Sequence, residues 1–316
     1  MRPESQDVHI AIAFDQNYLH PFYALITSIL KNNRGASLRF HTIVTGVADE
    51  EKEAIRRYVE ASDATIAFYA VDEALIKKFV LTSQWTPAVY YRLFFPLLVP
   101  ESIERLLYLD SDTIVNRPLD GLYNHFLGEH PVAAVPDVYV KVQPLLNIHV
   151  EGEYFNSGVM LIDIARWKSQ GVTESAIDYL TAYPERILFV DQCALNAVLH
   201  QNWQRLPERF NLLFSYLPDD LAASQVGDYL RDKVVIHFTL HRPWDMLSRN
   251  RLGYLYFQYL KQSPVGGKAK RFANFSFGKI PAYLKIKLVH LYFDMPIVAT
   301  QWKRWKQWKR NFLKQP

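Results

Sequence analysis

The stretch Arg105-Leu-Leu-Tyr-Leu-Asp-Ser-Asp-Thr-Ile-Val115 joins an apolar run to two carboxylates, Asp110 and Asp112. The apolar part is typical of a buried β-strand, and the acids stand where that strand should reach the surface. Alternate residues of an extended strand point the same way, so both carboxylates should face one spot. Such a pair favours Mn²⁺ or Mg²⁺, although an Asp-x-Asp alone is a weak signal that also fits a solvated strand end.

Strand-like and helix-like segments alternate on both sides of this stretch. Helices are predicted over Tyr18–Asn32 and about Asp49–Ala61, with Asp49 as the cap of the second. The predicted strands are Val8–Phe14, Leu38–Val44, Thr65–Val71, Arg105–Leu109, Val132–Val135, Val159–Ile162 and Val234–His237. This order predicts an α/β fold, with a mostly parallel sheet covered by helices on both faces.

Four aspartates follow strands that should end at the same edge of this sheet. Asp15 ends the first strand, Asp110 and Asp112 follow the fourth, and Asp137 follows the fifth. Ligands of such sheets bind beyond the carboxyl ends of the strands, so we expect the functional site there. The sequence contains no Gly-x-Gly-x-x-Gly and no Gly-x-x-x-x-Gly-Lys-Ser/Thr, which argues against a dinucleotide fingerprint or a P-loop.

Composition indicates a folded soluble protein, since 49% of the 316 residues are hydrophobic and 22% are charged. The single cysteine, Cys193, excludes an internal disulfide and fits a reducing compartment. The polar N-terminal residues do not resemble a secretory signal, and no apolar run approaches the roughly 20 residues of a spanning helix. We therefore expect a cytoplasmic protein.

Charge is distributed unevenly along the chain. Residues 266–316 contain 12 Lys or Arg and one acid, Asp294, a net charge of +11, whereas the other 265 residues hold 24 bases and 31 acids, a net charge of −7. The Pro- and Gly-containing segment Ser263–Lys268 is typical of a linker. The sequence thus predicts an acidic domain over residues 1–262 and a linker with a basic tail over residues 263–316.

Seven short motifs occur in one order within residues 8–245. They are Asp15-Gln-Asn-Tyr18, Tyr91-Arg-Leu93, Leu107-Tyr-Leu-Asp-Ser-Asp112, Phe155-Asn-Ser-Gly158, Asp191-Gln192, Arg209-Phe-Asn211, and His237 followed by Arg242-Pro-Trp244. This set resembles the family-eight retaining glycosyltransferases of the GT-A fold, which include bacterial lipopolysaccharide galactosyl- and glucosyltransferases and the glycogenins. The resemblance implies a Rossmann-like nucleotide-diphospho-sugar transferase sheet, and a UDP-glucose or UDP-galactose donor whose diphosphate is bridged by Mn²⁺.

The resemblance also implies roles for individual residues. It implies a metal site formed by Asp110, Asp112 and His237. The positions that match uridine contacts are Ala13, Asp15, Asn17 and Tyr18, and those that match other donor contacts are Arg92, Asp110, Ser111, Asn156 and Arg242. The positions implied in catalysis, around the donor sugar, are Asp137, Asp191 and Gln192, with Gln192 close to the reacting carbon.

Each of these residues also has a plain structural interpretation. His237 could be a core histidine, and Tyr18 could pack only against the first helix. Asp137 and Asp191 could cap helices, and Asn156 could be a turn residue before a glycine.

The sequence departs from the family pattern at the end of the matched region, at Gln16, which replaces a common Asp, and at Cys193. The usual ending, roughly His-x-x-Gly-x-x-Lys-Pro-Trp, is here His237-Phe-Thr-Leu-His-Arg-Pro-Trp244, which is one residue shorter, lacks the glycine and has Arg242 in place of lysine. Arginine keeps the positive charge and binds phosphate bidentately, so we expect diphosphate binding to survive. Cys193 replaces an acid found in some relatives, which favours same-face attack over a carboxylate nucleophile.

Tryptophans in the basic tail suggest a further partner. On a helical projection Trp302, Trp305, Trp308 and Phe312 share one stripe, which also includes Lys309. Aromatic residues facing bases suit an interfacial helix, and family members that act on lipid-linked saccharides have similar tails, so we expect residues 281–314 to bind an anionic membrane surface on its cytoplasmic side. The aromatics could instead pack on the first domain, or the tail could bind nucleic acid; we expect no nucleic-acid partner.

Together these features predict a retaining, Mn²⁺-dependent hexosyltransferase, for which Mg²⁺ is a possible substitute. It would move glucose or galactose from a UDP-sugar to a saccharide or glycolipid acceptor such as lipopolysaccharide. Two other interpretations stay open. The same carboxylates could support metal-dependent UDP-sugar hydrolysis, or the chain could be a non-catalytic scaffold bound to membranes by its tail.

Overall fold

The computed structural model describes residues 7–72, 76, 79, 86–218, 221–295, 301, 304, 305 and 308. The strands are β1 (Val8–Asp15), β2 (Leu38–Thr45), β3 (Thr65–Tyr69), β4 (Arg105–Leu109), β5 (Thr113–Val115), β6 (Val132–Pro136), β7 (Phe155–Asp163), β8 (Gln204–Arg205), β9 (Leu212–Leu213) and β10 (Val235–His237). The α-helices are α1 (Leu19–Asn32), α2 (Asp49–Glu60), α3 (Phe95–Leu98), α4 (Asp120–Tyr123), α5 (Ile164–Ser169), α6 (Val172–Ala182), α7 (Val190–Val198), α8 (Ala223–Tyr229), α9 (Gly253–Lys261) and α10 (Ile280–Asp294).

The predicted helices and strands are all present, with differences at some of their ends. Strand β3 ends at Tyr69 rather than at the predicted Val71. Strand β7 begins at Phe155, four residues before the predicted Val159, because the ladder with β6 contains a bulge that the sequence does not reveal. The residue at the N-cap of α2 is Ala48 rather than Asp49, which lies in the first turn. A carboxylate in that turn still stabilises the helix, since it faces the positive end of the helix dipole.

A seven-stranded sheet in the order β3-β2-β1-β4-β7-β6-β8 forms the centre of the molecule. Strand β7 is antiparallel to β4 and β6, whereas the other neighbouring strands are parallel. Strands β1, β4 and β6 therefore end at one edge of the sheet, and β7 begins at that edge. This arrangement confirms the prediction of an α/β fold with a mostly parallel sheet.

Both faces of the sheet are buried, as a mostly parallel sheet requires. In β4, Leu107 and Leu109 join the core under α1 and α9, while Leu106 and Tyr108 join the core under α5, α6 and α7. Side chains alternate between faces along a strand, so β4 contributes to both cores. Each fully buried leucine stabilises the fold by about 1.5–3 kcal/mol, and this burial holds the ends of the strands in position.

A second, three-stranded sheet, in the order β5-β10-β9, lies beside the first. Strand β5 directly follows the Asp110–Asp112 segment, and β10 pairs with it antiparallel, with His237 opposite Thr113. This pairing brings the end of β10 next to the acids, although the two segments are far apart in sequence.

The described part of the tail packs on the rest of the chain. Asp294, at the end of α10, accepts a hydrogen bond of 2.9 Å from the backbone N–H of Ala223 and forms an ion pair with Arg251. The predicted linker folds into turns in which the Gly266 N–H donates to Ser263 O, 3.1 Å away. No described helix is long and apolar enough to cross a membrane. Trp302 and Phe312 of the predicted aromatic stripe lie outside the described residues.

Candidate active site

Two carboxylates and one imidazole converge at the edge where β4 ends. Ligand atoms of Asp110, Asp112 and His237 all lie within 4.8 Å of one another. The His237 Nε2 atom is 3.1 Å from Asp112 Oδ1 and 3.8 Å from Asp110 Oδ2. A mixed set of carboxylates and imidazole suits Mn²⁺. The three residues implied as metal ligands are therefore together and chemically able to hold the ion.

The backbone around Asp110 is tightly constrained. Its N–H donates to Gly158 O over 2.8 Å, and its carbonyl accepts from Thr113 Oγ1 over 2.7 Å. A Cβ atom added at Gly158 would lie 2.3 Å from His237 Cε1 and 2.5 Å from Asp110 Oδ2. Glycine at position 158 thus leaves the space that His237 and Asp110 occupy.

A chain of buried amides orients the histidine. His237 Nδ1 is 3.1 Å from Asn211 Oδ1, and Asn211 Nδ2 donates to Asn156 Oδ1 over 2.9 Å. Asn156 Oδ1 also accepts from the Gly158 N–H over 3.0 Å. Because Asn211 presents an acceptor, the proton of a neutral imidazole is held on Nδ1 and Nε2 is left for the carboxylates or a metal.

Arg92 is the cation at the centre of the site. It lies at the end of a 3₁₀ helix, Pro87–Leu93, and is 6% exposed. Its guanidinium is 2.9 Å from Asp110 Oδ1 and 2.9 Å from Asp191 Oδ2, and it donates to Ser157 O over 2.8 Å. The planar guanidinium has several N–H donors in fixed directions, which allows one arginine side chain to contact all three acceptors. Arg92 therefore connects the predicted metal site to Asp191.

The predicted catalytic residues form one hydrogen-bonded group. Gln192 Nε2 donates to Asp137 Oδ2 over 3.2 Å, and Gln192 Oε1 accepts from Asn156 Nδ2 and from the Ser157 N–H, each over 3.1 Å. Asp137 Oδ1 accepts from the Tyr139 N–H over 3.1 Å. The group joins the end of β6, the start of β7 and the first turn of α7.

Neither Asp137 nor Asp191 caps an α-helix. Asp137 accepts a hydrogen bond within the turn that follows β6, and the N-cap of α7 is Phe189.

Burial raises the pKa of Asp191 to about 6, against the opposing effect of Arg92. Burial also disfavours the charged forms of Asp112 and His237, but each stabilises the charge of the other. The pKa of Asp112 is lowered to about 2, and the pKa of His237 is raised.

These residues line a wide cavity of about 540 Å³ with a narrow one of about 90 Å³ beside it. The predicted residues in the wide cavity are Arg92, Asp110, Asp112, Asp137, Asn156, Asp191, Gln192, His237 and Arg242. The narrow cavity adds Ala13, Asp15, Tyr18 and Ser111. Asn17 is not among the described lining residues of either cavity; its side chain is exposed, and its N–H donates to Asp15 Oδ1 over 2.8 Å.

The loop after β10 is shorter than in the family pattern, but it still places Arg242 at the site. Arg242 Nε is 3.8 Å from Asp112 Oδ2, and its guanidinium carbon is 5.5 Å from the centre of the Tyr18 ring. Trp244 meets the same ring edge-on at 5.9 Å. Leu240 has φ +63°, the left-handed conformation that glycine adopts most easily. The backbone therefore turns as a glycine would allow, although the sequence has none there.

Some residues of the site were not predicted from the sequence. They are Tyr108, whose hydroxyl donates to Asp110 Oδ1 over 2.8 Å, together with Ser157, Gly158 and Asn211. All four lie within the seven sequence motifs, which is the one signal that could have identified them.

Cys193 is fully buried, with Sγ 3.2 Å from the Phe189 nitrogen, and burial raises the pKa of its thiol. It therefore remains a neutral side chain.

The chain matches one known protein family and several known proteins in sequence. The chain matches the sequence model of "Glycosyl transferase family 8" over residues 9–247. It is 29% identical to general stress protein A of Bacillus subtilis, covering 83% of this chain and 97% of that protein. It is also 29% identical to lipopolysaccharide 1,2-glucosyltransferase of Escherichia coli K12, covering 76% of this chain and 73% of the relative.

A solved structure of the galactosyltransferase LgtC, in complex with donor and acceptor sugar analogs, has the same fold. It aligns with a TM-score of 0.70 at 20% identity, covering 88% of this chain and 100% of that one. The fold is therefore GT-A. With the match over residues 9–247, the chain is a glycosyltransferase that belongs to glycosyl transferase family 8.

Proposed function

We propose that this chain transfers glucose or galactose from a UDP-sugar to a saccharide acceptor, with retention of the anomeric configuration. The observation that carries the proposal is the convergence of Asp110, Asp112 and His237 within 4.8 Å at the wall of the wide cavity. A glycolipid acceptor such as lipopolysaccharide is favoured, since one relative is a lipopolysaccharide glucosyltransferase.

Mn²⁺, or Mg²⁺ in its place, would be held by these three residues and would neutralise the negative charge that develops on the UDP leaving group. Arg242 adds a second positive charge, because its guanidinium is only 3.8 Å from Asp112. Arginine binds phosphate oxygens through two parallel hydrogen bonds, so we assign Arg242 to the diphosphate. The narrow cavity, with Ala13, Asp15 and Tyr18, is the proposed uridine site.

The donor sugar is proposed to lie in the wide cavity beside Asp137, Asn156, Asp191 and Gln192. Both hydrogen bonds accepted by Gln192 Oε1 come from Asn156 and Ser157, so the lone pairs of this oxygen are already engaged. The thiol of Cys193 is buried and neutral. Neither group is therefore suited to act as a nucleophile. This favours attack by the acceptor hydroxyl on the anomeric carbon from the same face as the departing UDP.

We further propose that the protein is cytoplasmic and that residues 281–314 associate with the inner face of the cytoplasmic membrane. In α10, Leu284, Leu288 and Leu291 are 53%, 66% and 53% exposed, next to Lys285 and Lys287. Exposed leucines beside lysines suit the interface of an anionic bilayer. If residues 1–265 alone remained as membrane-bound in cell fractions as the full chain, the tail would have no such role.

The deciding experiment measures consumption of UDP-glucose and UDP-galactose with saccharide acceptors, with and without Mn²⁺. Asp110→Ala should abolish transfer without unfolding the chain, and Asp120→Ala, at an exposed aspartate of α4, should leave transfer unchanged. Undiminished transfer in metal-free buffer would exclude the proposed metal role. UDP release that needs no acceptor would indicate a hydrolase, and UDP binding without turnover would indicate a scaffold.

A further inference from the structure

A groove of about 630 Å³ separates helix α10 from the catalytic body. Ser215 lines both this groove and the wide cavity of the active site. The rings of Phe214 and His241, whose centres are 4.6 Å apart, both line the groove beside Ser215. The groove and the active-site cavity therefore adjoin each other at Ser215.

The described lining of the groove is strongly basic. It contains Arg249, Arg251, Lys285, His241 and His290, and no acidic side chain. Arg251 pairs with Asp294, but within the part of the chain that the structure describes neither Arg249 nor Lys285 has a carboxylate within 4.0 Å. Two cations that line one groove without a counterion favour an anionic ligand.

The two histidines of the groove favour their neutral forms. Burial lowers the pKa of His241 most, and the charge of Arg249 lowers it further against the opposing charge of Asp245. Burial also lowers the pKa of His290 most, followed by the charge of Lys287. The positive charge of the groove therefore comes from its arginines and lysine.

The remaining lining of the groove is apolar. It consists largely of Leu217, Pro218, Leu221, Leu247, Leu252, Ile286 and Val289. Val289 is 45% exposed although it faces the groove. Apolar walls beside unpaired cations match a molecule that has a phosphate and a hydrocarbon chain, whereas a free sugar would supply neither partner.

We propose that this groove binds the phosphorylated lipid portion of the glycosyl acceptor, while the acceptor's sugar enters the wide cavity past Ser215. The phosphate lies against Arg249 and Lys285, and the hydrocarbon lies along Ile286 and Val289. This assignment rests on the proposed transferase function. It adds that the acceptor is an anionic amphiphile, whose lipid end is recognised by α10.

The test uses the full chain and two short-chain lipids that remain monomeric in solution. Dihexanoyl phosphatidic acid is the anionic probe, and dihexanoyl phosphatidylcholine is its zwitterionic counterpart. Calorimetry should show tighter binding of the phosphatidic acid, and the double variant Arg249→Gln/Lys285→Gln should weaken that binding by about ten-fold or more. Arg57→Gln, at an exposed arginine of α2, is the matched control and should bind as the original chain does.

Equal affinity for the two lipids, or full affinity in the double variant, would overturn the proposal. UDP binding in the presence of Mn²⁺ is measured on the same samples and should not change in the double variant. If the chain binds phosphatidic acid but not UDP, the transferase function would be refuted. The assignment of the groove as a site for an anionic lipid would not be refuted by that result.

Vesicles of phosphatidylglycerol and phosphatidylcholine separate the acceptor from bulk membrane lipid. The double variant should keep its vesicle binding, because Leu284, Leu288 and Leu291 lie on α10 outside the described lining of the groove. Loss of vesicle binding in parallel with loss of monomer binding would identify bulk membrane lipid as the occupant. That result would overturn the acceptor assignment.

Discussion

Gly158 and His237 approach each other so closely that no side chain fits between them, since a Cβ at Gly158 would lie 2.3 Å from His237 Cε1. The backbone of Gly158 does not have a positive φ, so space rather than conformation requires the glycine. The strand that carries Gly158 also carries Asn156 and Ser157. The absence of a side chain at Gly158 therefore lets His237 and Asp110, two of the three proposed metal ligands, come together there.

Replacing Gly158 with alanine should damage the metal site more than the fold. The added methyl group would displace His237 and Asp110, so we expect Mn²⁺ affinity to fall by at least about ten-fold and transfer by about 100-fold. Gly121→Ala is the control, because a Cβ there meets no atom within 4 Å. Calorimetry with Mn²⁺ and an activity assay measure the two effects, and unchanged Mn²⁺ affinity would contradict the geometry.

Asn211 should act through His237 as a positioning residue. Removal of its side chain in Asn211→Ala leaves Nδ1 of His237 without its partner, and loss of such a partner typically lowers metal affinity about 10- to 100-fold. Asn116→Ala provides the comparison, since the side-chain amide of Asn116 donates to the carbonyls of Leu230 and Lys233. Both variants should lose some stability, but only Asn211→Ala should lose Mn²⁺ affinity. Equal loss of affinity in both would mean a merely structural role.

Arg92 should be the most important cation for stability. Arg92→Met leaves Asp191, which is 2% exposed, without its ion pair, and such a change typically destabilises a fold by about 3–5 kcal/mol. The control Arg39→Met removes an exposed pair with Asp7 and should cost about 1 kcal/mol or less. Urea denaturation measures both free energies of unfolding. A smaller loss of unfolding free energy in Arg92→Met than in Arg39→Met would contradict the central position of Arg92.

The cost of Arg92→Met should also depend on pH. Burial already raises the pKa of Asp191 to about 6, above its ordinary 3.8, and removal of Arg92 raises it further. The folded variant then binds a proton that the unfolded chain releases, so the stability of the variant rises as pH falls through the folded pKa. Denaturation at about pH 5 and about pH 8 measures the free energy of unfolding of the variant and of the original chain. The difference between them should be smaller at the lower pH. A cost that is larger at the lower pH would refute this assignment.

Leu240 should be strained by its left-handed backbone. A non-glycine residue at φ +63° pays about 1–2 kcal/mol for this conformation, and Leu240 is 55% exposed, so it gains little from burial. Leu240→Gly should therefore stabilise the chain, by up to about 1 kcal/mol after the extra entropy of unfolded glycine is included. Leu240→Val should destabilise it, because a β-branched side chain tolerates this region least. Thermal unfolding distinguishes the two signs; stabilisation by valine would contradict the strain.

Much of the fold could be predicted from local sequence patterns. The alternation of strands and helices predicted the α/β sheet. The aspartates at the end of β1 and after β4 and β6 were expected at one edge, where they lie. The sheet could be predicted because strand burial is a local property of the chain. The alternation expected of Asp110 and Asp112 was wrong, since both lie in a turn after β4 in which the Thr113 N–H donates to Asp110 O over 3.2 Å. The membrane role of residues 281–314 stays a prediction.

Long-range contacts could not be predicted in the same way. Asp112 and His237 are 125 residues apart in sequence, and they meet because β5 pairs with β10. The roles of Asn211 and Gly158 depend on distances of about 3 Å or less to side chains from other elements. The sequence by itself determined which residues are chemically able to bind a metal and a sugar nucleotide. Tertiary structure alone decided their spacing, orientation and charge, because hydrogen bonds and burial between distant segments exist only once the sheets have formed.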